Sequence, residues 1–193
     1  MTNSGKFVVI DGQGRIGATT VATLLGLRLT HDGHNVVMAA ELSVAGTGIA
    51  GWRNRTAQTP GVDARAVDLR ATRDRLLTDV IRPALASGRT VVCDRYVPSS
   101  LVLNYLAGVP GEQIGSLNAH SDRPDLTVVL VRADHLDQRL ASRSVADEAA
   151  AYRAIAALLT TAGWRTHLFE VGKCSAAEVA DNLLAVVGRE LPW

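Results

Sequence analysis

Lysine is nearly absent from this chain of 193 residues: Lys6 and Lys173 are the only two, and arginine carries the remaining basic charge. The shortage matters wherever a motif needs an ammonium group. Cysteine is scarce as well. Cys93 and Cys174 lie far apart without metal-ligand spacing and read as two reduced, packed thiols. His31 and His34 share the turn "THDGHN", with no third ligand near in sequence to complete a zinc site. An excess of either charge sign is also missing. A net charge of +1 gives no field that would gather nucleic acid or an anionic membrane. No apolar run reaches the roughly 18 residues of a membrane span. The opening "MTNSGKFVVIDG" lacks a signal-peptide pattern, so a cytoplasmic location is the expectation. Repeats, linkers and low-complexity stretches are absent, and a single domain over 1–193 is expected.

What is present is alternation. At 47% hydrophobic the chain can build a sizeable core. Apolar runs at Lys6–Asp11, "GHNVVMAA", "RTVVCD", "PDLTVVLV" and "RTHLFEV" read as strands. Helix-length segments separate them, from Gly17–Thr30 to Ala176–Val187. "VDARAVDLRATRDRLLTDVIRPALASG" carries a stripe of Val62, Ala66, Leu69, Leu76, Leu77, Val80, Ile81 and Leu85, which predicts one long helix kinked by Pro83. Continuous apolar strands are covered on both faces and so form a parallel sheet. The expected fold class is α/β, three layers, a five-stranded parallel sheet with helices on both faces.

The first chemical motif is "DGQGRIGATT", which follows the first strand and opens a helix. That context marks a phosphate loop of the form G-x-x-x-x-G-K-[ST]. Gly12, Gly14, Gly17, Ala18, Thr19 and Thr20 would cradle the phosphates of ATP with backbone N–H groups. Ala18 occupies the lysine slot. Thr19 would give its hydroxyl to Mg²⁺, and Asp94, at the end of the third strand, would face the loop and orient the hydrated ion. Arg95 follows and can hold a phosphate bidentately. Arg73 falls on the apolar stripe, where a buried charge needs a partner or an anionic pocket. Arg139 and Arg143 are one helical turn apart and could close over a nucleotide's phosphates.

Together these stretches make the chain resemble the thymidylate kinases, P-loop nucleoside-monophosphate kinases. The carrying segments are "KFVVIDGQGRIGATT", "VIRPALASGRTVVCDRYVPSSL" and "PDLTVVLVRADHLDQRLASR". The resemblance implies a P-loop NTPase fold, ATP and Mg²⁺ as cofactors, a monophosphate acceptor site, a short lid around 139–152 and a homodimer. It implies that Arg95 grips the acceptor's phosphate and that Arg73 lies near the acceptor's base and phosphate. Tyr96, Ser99, Ser100 and Asn104 would line the acceptor site. Arg53 would match a phosphate-binding arginine, Glu41 is retained from an Arg-Glu-Pro stretch, and Arg15 is similar to a loop arginine that stabilises the transferring phosphoryl group in some members.

Departures from the family are concentrated around the acceptor and the catalytic cation. Ala18 replaces the lysine, and Gly14 replaces an aspartate that touches the acceptor sugar. Leu69 stands where a phenylalanine stacks on the base, and Leu103 where a tyrosine polices the sugar. Lys6, about five residues upstream of the loop at ~3.3 Å per residue, is too distant to substitute; Arg15, Arg139 and Arg143 are the credible replacements. The expected partner is a nucleotide or phosphorylated small molecule, plain thymidylate being in doubt. Three functions follow: a kinase, a nucleotide-binding regulator or scaffold without transfer, and an enzyme turned to another nucleotide or phosphorylated metabolite.

Overall fold

Five apolar segments become the strands of one parallel sheet in the computed structural model, which describes residues 5–41, 62–133 and 143–191 (the side chains of 62–68 and 143–145 excepted). The strands are β1 (Phe7–Gly12), β2 (Val36–Ala40), β3 (Thr90–Asp94), β4 (Leu126–Arg132) and β5 (Thr166–Val171). Their spatial order is β2-β3-β1-β4-β5, so every connection is a crossover. The helices are α1 (Ala18–His31), α2 (Val62–Leu76), α3 (Arg82–Ala86), α4 (Val97–Leu106), α5 (Gly111–Asn118), α6 (Arg143–Thr161) and α7 (Ala176–Glu190).

Side-chain alternation divides the core between the two sheet faces. Val8, Ile10, Val128 and Leu130 pack under Val21 and Leu25 of α1 and Val179 and Leu183 of α7. On the other face, Phe7, Val9, Val91 and Cys93 meet Leu76, Leu77, Ile81 and Ala84. Val129 and Val131 meet Tyr152 and Ala156 of α6. The central strands β1 and β4 are buried nearly throughout. The edge strands β2 and β5 are only partly covered, with Met38 and Leu168 exposed.

Two expectations change, and a third segment gains a conformation. The long helix before β3 is not simply kinked: Leu77–Ile81 forms a π turn between α2 and α3. Pro83 explains it, because its missing N–H removes a rung of the α-helical ladder and the backbone shifts by one residue. Residues 143–152, within the stretch expected as a short lid, form the first half of α6, where Glu148, Ala149, Ala151 and Tyr152 are buried. Of the two thiols, Cys93 is buried but Cys174 is exposed.

Register brings the candidate chemistry to one edge. Ile10 of β1 lies beside Asp94 of β3, and Gly12 lies beside Leu130 of β4. The carboxyl ends of the three central strands therefore finish together, where open parallel sheets place their ligands.

Candidate functional site

The turn from β1 into α1 is shaped by glycine at the positions where the chain has no alternative. Gly12 has φ 154°, and a Cβ there would collide with the Leu130 carbonyl oxygen. Gly17 enters the helix at φ 89°, and no side chain caps α1. Arg15 adopts φ 62° without being glycine, a conformation that costs about 1–2 kcal/mol. Gln13 clasps the turn to β4: its N–H donates to Leu130 O (3.0 Å) and its Oε1 accepts from Arg132 N–H (3.2 Å). The N–H of Gly14 donates to Glu148 Oε1 at 3.0 Å. The N–H groups of Arg15, Gly17, Ala18, Thr19 and Thr20 have no protein acceptor among the described residues. With no acidic residue in the first turn of α1, these open amides form a cradle for an anion. Ala18 is buried, its methyl part of the core beneath the loop.

Asp94 faces this cradle from β3. Burial holds its pKa above the ordinary aspartate value, with the neighbouring Thr19 hydroxyl and Arg95 offsetting part of that effect. Its Oδ1 is buried with no partner among the described residues. A buried carboxylate oxygen left open beside a hydroxyl is a hard donor pair, which suits Mg²⁺. Among the described residues no group of three or more His, Cys, Asp and Glu could hold a metal. Such a site fits an ion held by a few protein oxygens, water and phosphate rather than an all-protein cage.

Asp11, at the end of β1, is surrounded differently. Its carboxylate accepts from the N–H groups of Gly12 (2.7 Å), Tyr96 (3.0 Å) and Ser99 (2.9 Å) and from the Ser99 hydroxyl (2.5 Å). Arg95 Nη1 lies 3.5 Å away and donates also to Gly12 O (2.7 Å) and Ser99 Oγ (3.1 Å). The Tyr152 hydroxyl from α6 joins the same cluster, 3.1 Å from Ser99 Oγ. Arg95 itself sits at φ 68°. Its strained backbone is held by Arg95 N–H on Ile10 O (2.9 Å) and by the Tyr96 N–H on Asp11. Strain held in place by so many bonds is characteristic of a functional site. All of its side-chain bonds run through Nη1, and Nε and Nη2 have no partner among the described residues.

Arg73 finds its partner in Glu41, Nε to Oε1 at 2.5 Å, with both side chains almost fully buried. Nη1 donates to Asn118 Oδ1 and to Ser121 Oγ (3.1 Å), and the guanidinium lies 5.2 Å from the Tyr96 ring centroid. Burial raises the Glu41 pKa, while Arg73 pulls it back. Glu41 Oε2 and Arg73 Nη2 have no partner among the described residues.

A cradle of open amides, a neighbouring Thr–Asp pair and two buried arginines on the sheet's carboxyl edge thus define the candidate site. A family model described as thymidylate kinase matches residues 10–183. The chain belongs to the thymidylate kinase family. It is 31% identical over 156 residues to the thymidylate kinase of Exiguobacterium sibiricum, covering 75% of this chain and 72% of that one. It is 36% identical over 137 residues to the thymidylate kinase of Pseudomonas entomophila, covering 65% and 63%. For the probable thymidylate kinase of Pyrococcus abyssi, identity is 32% over 133 residues, covering 65% and 64%. The match thus spans less than two thirds of the length of the last two relatives. The crystal structure of thymidylate kinase from Ehrlichia chaffeensis has the same fold, with TM-score 0.70 at 20% identity over 95% of this chain and 99% of that one.

Within this family fold, the residues expected at the acceptor divide into two groups. Tyr96 is fully buried, its ring edge-on to Phe7 and its hydroxyl on Asp122 O (3.1 Å). The Ser99 hydroxyl donates to Asp11 and accepts from Arg95 Nη1, and Asn104 Nδ2 donates to Ser100 O (2.8 Å). These hydrogen bonds help hold Arg95 and α4 in place. Leu69 and Leu103 are buried apolar wall. Arg53 and Arg139 lie outside the described residues, as does the side chain of Arg143. Arg15 and Thr20 are exposed beside the cradle. Sequence reasoning missed Asp11, Gln13, Glu148 and Tyr152. Asp11 ends an otherwise apolar strand, and Tyr152 is the sole aromatic residue of α6; both were signals of a buried polar role.

Proposed function

We propose that this chain is a nucleotide kinase that moves the γ-phosphate of ATP to a nucleoside-monophosphate-like acceptor other than plain thymidylate. The observation that carries the reading is Asp94, with one buried carboxylate oxygen that has no partner among the described residues and the Thr19 hydroxyl beside it. Thr19 and Asp94 would hold Mg²⁺, which when bound neutralises charge on the phosphate oxygens. The open amides of Arg15 and of Gly17 to Thr20 receive the donor's phosphates. Arg95 offers Nε and Nη2 to the acceptor's phosphate while Nη1 anchors the side chain. Arg15, in its left-handed conformation, supplies charge toward the transferring group in place of the missing lysine. Leu69 and Leu103 remove aromatic contacts, which supports an acceptor other than thymidylate.

A second reading, a nucleotide-binding protein without transfer, is favoured by Ala18, whose buried methyl occupies the lysine slot. ADP release measured with ATP, Mg²⁺ and a panel of monophosphates separates the two. The kinase reading expects turnover with at least one acceptor and little with thymidylate. Thermal stabilisation by nucleotides without ADP release supports binding alone. Ala18→Lys is expected to raise kcat by about 10²–10³, the worth of one preorganised donor to developing charge.

A further inference from the structure

We infer that Tyr152 is a positioning residue for Arg95: its hydroxyl helps hold Nη1 inward, so that the Nε–Nη2 edge stays turned toward the acceptor's phosphate. The inference rests on the reading of Arg95 as the arginine that takes that phosphate. Tyr152 reaches Arg95 from α6, 57 positions away in the chain, and it is fully buried. Its ring belongs to an apolar cluster with Val102 of α4 and Val129 and Val131 of β4. Close packing of the ring therefore sets where the hydroxyl sits, independently of the hydrogen bonds it makes.

Counting protons gives the cluster a direction. A serine hydroxyl has one proton, and the 2.5 Å contact of Ser99 with the Asp11 carboxylate uses it. The 3.1 Å bond between Ser99 Oγ and the Tyr152 hydroxyl then takes its proton from Tyr152. Burial pushes the Tyr152 pKa above the ordinary tyrosine value, so this donor keeps its proton. Ser99 Oγ also accepts from Arg95 Nη1 at 3.1 Å, which fills both of its lone pairs. Of the two Nη1 hydrogens, Gly12 O takes one at 2.7 Å. The other is shared among Ser99, the Tyr152 oxygen (3.4 Å) and Asp11 (3.5 Å). What remains of the guanidinium is the edge formed by Nε–H and the adjacent Nη2–H, two parallel donors that match two oxygens of one phosphate. Neither nitrogen has a partner among the described residues. Arg73 shows the opposite case: Glu41 takes its Nε, so the same edge is broken. Arginine has many rotamers, and the Tyr152–Ser99 pair favours the one that leaves the Arg95 fork whole.

The test is NMR of the full chain labelled with ¹⁵N-arginine. The Nε–H signal of Arg95, assigned by its loss in Arg95→Lys, is followed during titration with inorganic phosphate at constant ionic strength. The readout belongs to Arg95 itself, so phosphate taken up by the open amides of the loop does not enter it. Tyr152→Phe keeps the ring and removes the hydroxyl. It is expected to weaken phosphate binding at this signal about three- to tenfold, the worth of one hydrogen bond. Thermal unfolding verifies that the variant is folded; if it is not, Ser99→Ala, which removes the acceptor between Tyr152 and Arg95, decides by the same measure and in the same direction. An unchanged or tighter dissociation constant in the folded variant, whatever its melting temperature, makes the hydroxyl purely structural and overturns the inference alone. If the wild-type Arg95 signal responds neither to phosphate nor to the monophosphates of the five common nucleosides, the reading of Arg95 and the inference fall together.

Discussion

Asp11 and Asp94 end neighbouring strands of the same sheet, and their surroundings are opposite. Asp11 is fully buried and accepts from three backbone N–H groups and the Ser99 hydroxyl, with Arg95 alongside. Asp94 is less enclosed, has the Thr19 hydroxyl as a neighbour, and leaves Oδ1 without a partner among the described residues. One carboxylate is saturated by the fold and the other keeps capacity for something not made of protein. Residue type does not separate a structural carboxylate from a ligand-binding one; the number of donors the fold aims at it does.

The contrast can be broken most severely at Asp11. Asp11→Ala strips the acceptor from a buried cluster and leaves Arg95 uncompensated, which should cost about 3–5 kcal/mol in urea unfolding. A loss under about 1 kcal/mol would show that the cluster is not a hub. Asp94→Asn should behave the other way in the ligand-free protein. Because burial raises the folded pKa of Asp94, the folded state holds that proton more tightly than the unfolded chain does. The resulting stability is present below the unfolded value of about 3.9 and is lost as pH rises through the folded value. Asp94→Asn does not undergo that loss. Its melting temperature should therefore exceed that of the wild type by a few degrees at pH 8, with the margin fading toward pH 4, while stabilisation by ATP–Mg²⁺ disappears. A variant less stable than the wild type at both pH values would contradict the assignment. The smallest effect belongs to Tyr152→Phe, which removes one hydroxyl from the Asp11 side of the comparison and should cost about 1 kcal/mol. Denaturation midpoints of the two proteins measure it directly.

Much of this arrangement was legible in the residues. Glycines at 12 and 17 announced a turn with left-handed or otherwise excluded backbone, and the apolar runs announced buried parallel strands. Asp94 could be placed opposite the loop because parallel strands end at a common edge. Arg73 was conspicuous on an apolar stripe, and a partner was required before Glu41 could be identified as that partner. The π turn was not legible, because a proline near a helix end can be met by a kink, a break or a shifted register. Glu148 on Gly14 and Tyr152 on Ser99 were not legible either. Each joins residues 134 and 53 positions apart, and no local pattern encodes such a meeting.

The sequence by itself determined the alternation of strands and helices, the backbone freedom of the phosphate loop, the absence of its lysine and the Asp94–Arg95 pair, because these follow from local sterics and from polarity along short segments. Tertiary structure decided which carboxylate would be saturated and which left open, that Arg95 would be anchored through Nη1 alone, and that an acid from α6 would dock on the loop. Those outcomes depend on how many donors converge on a point from separate elements, and only the packed chain sets that number.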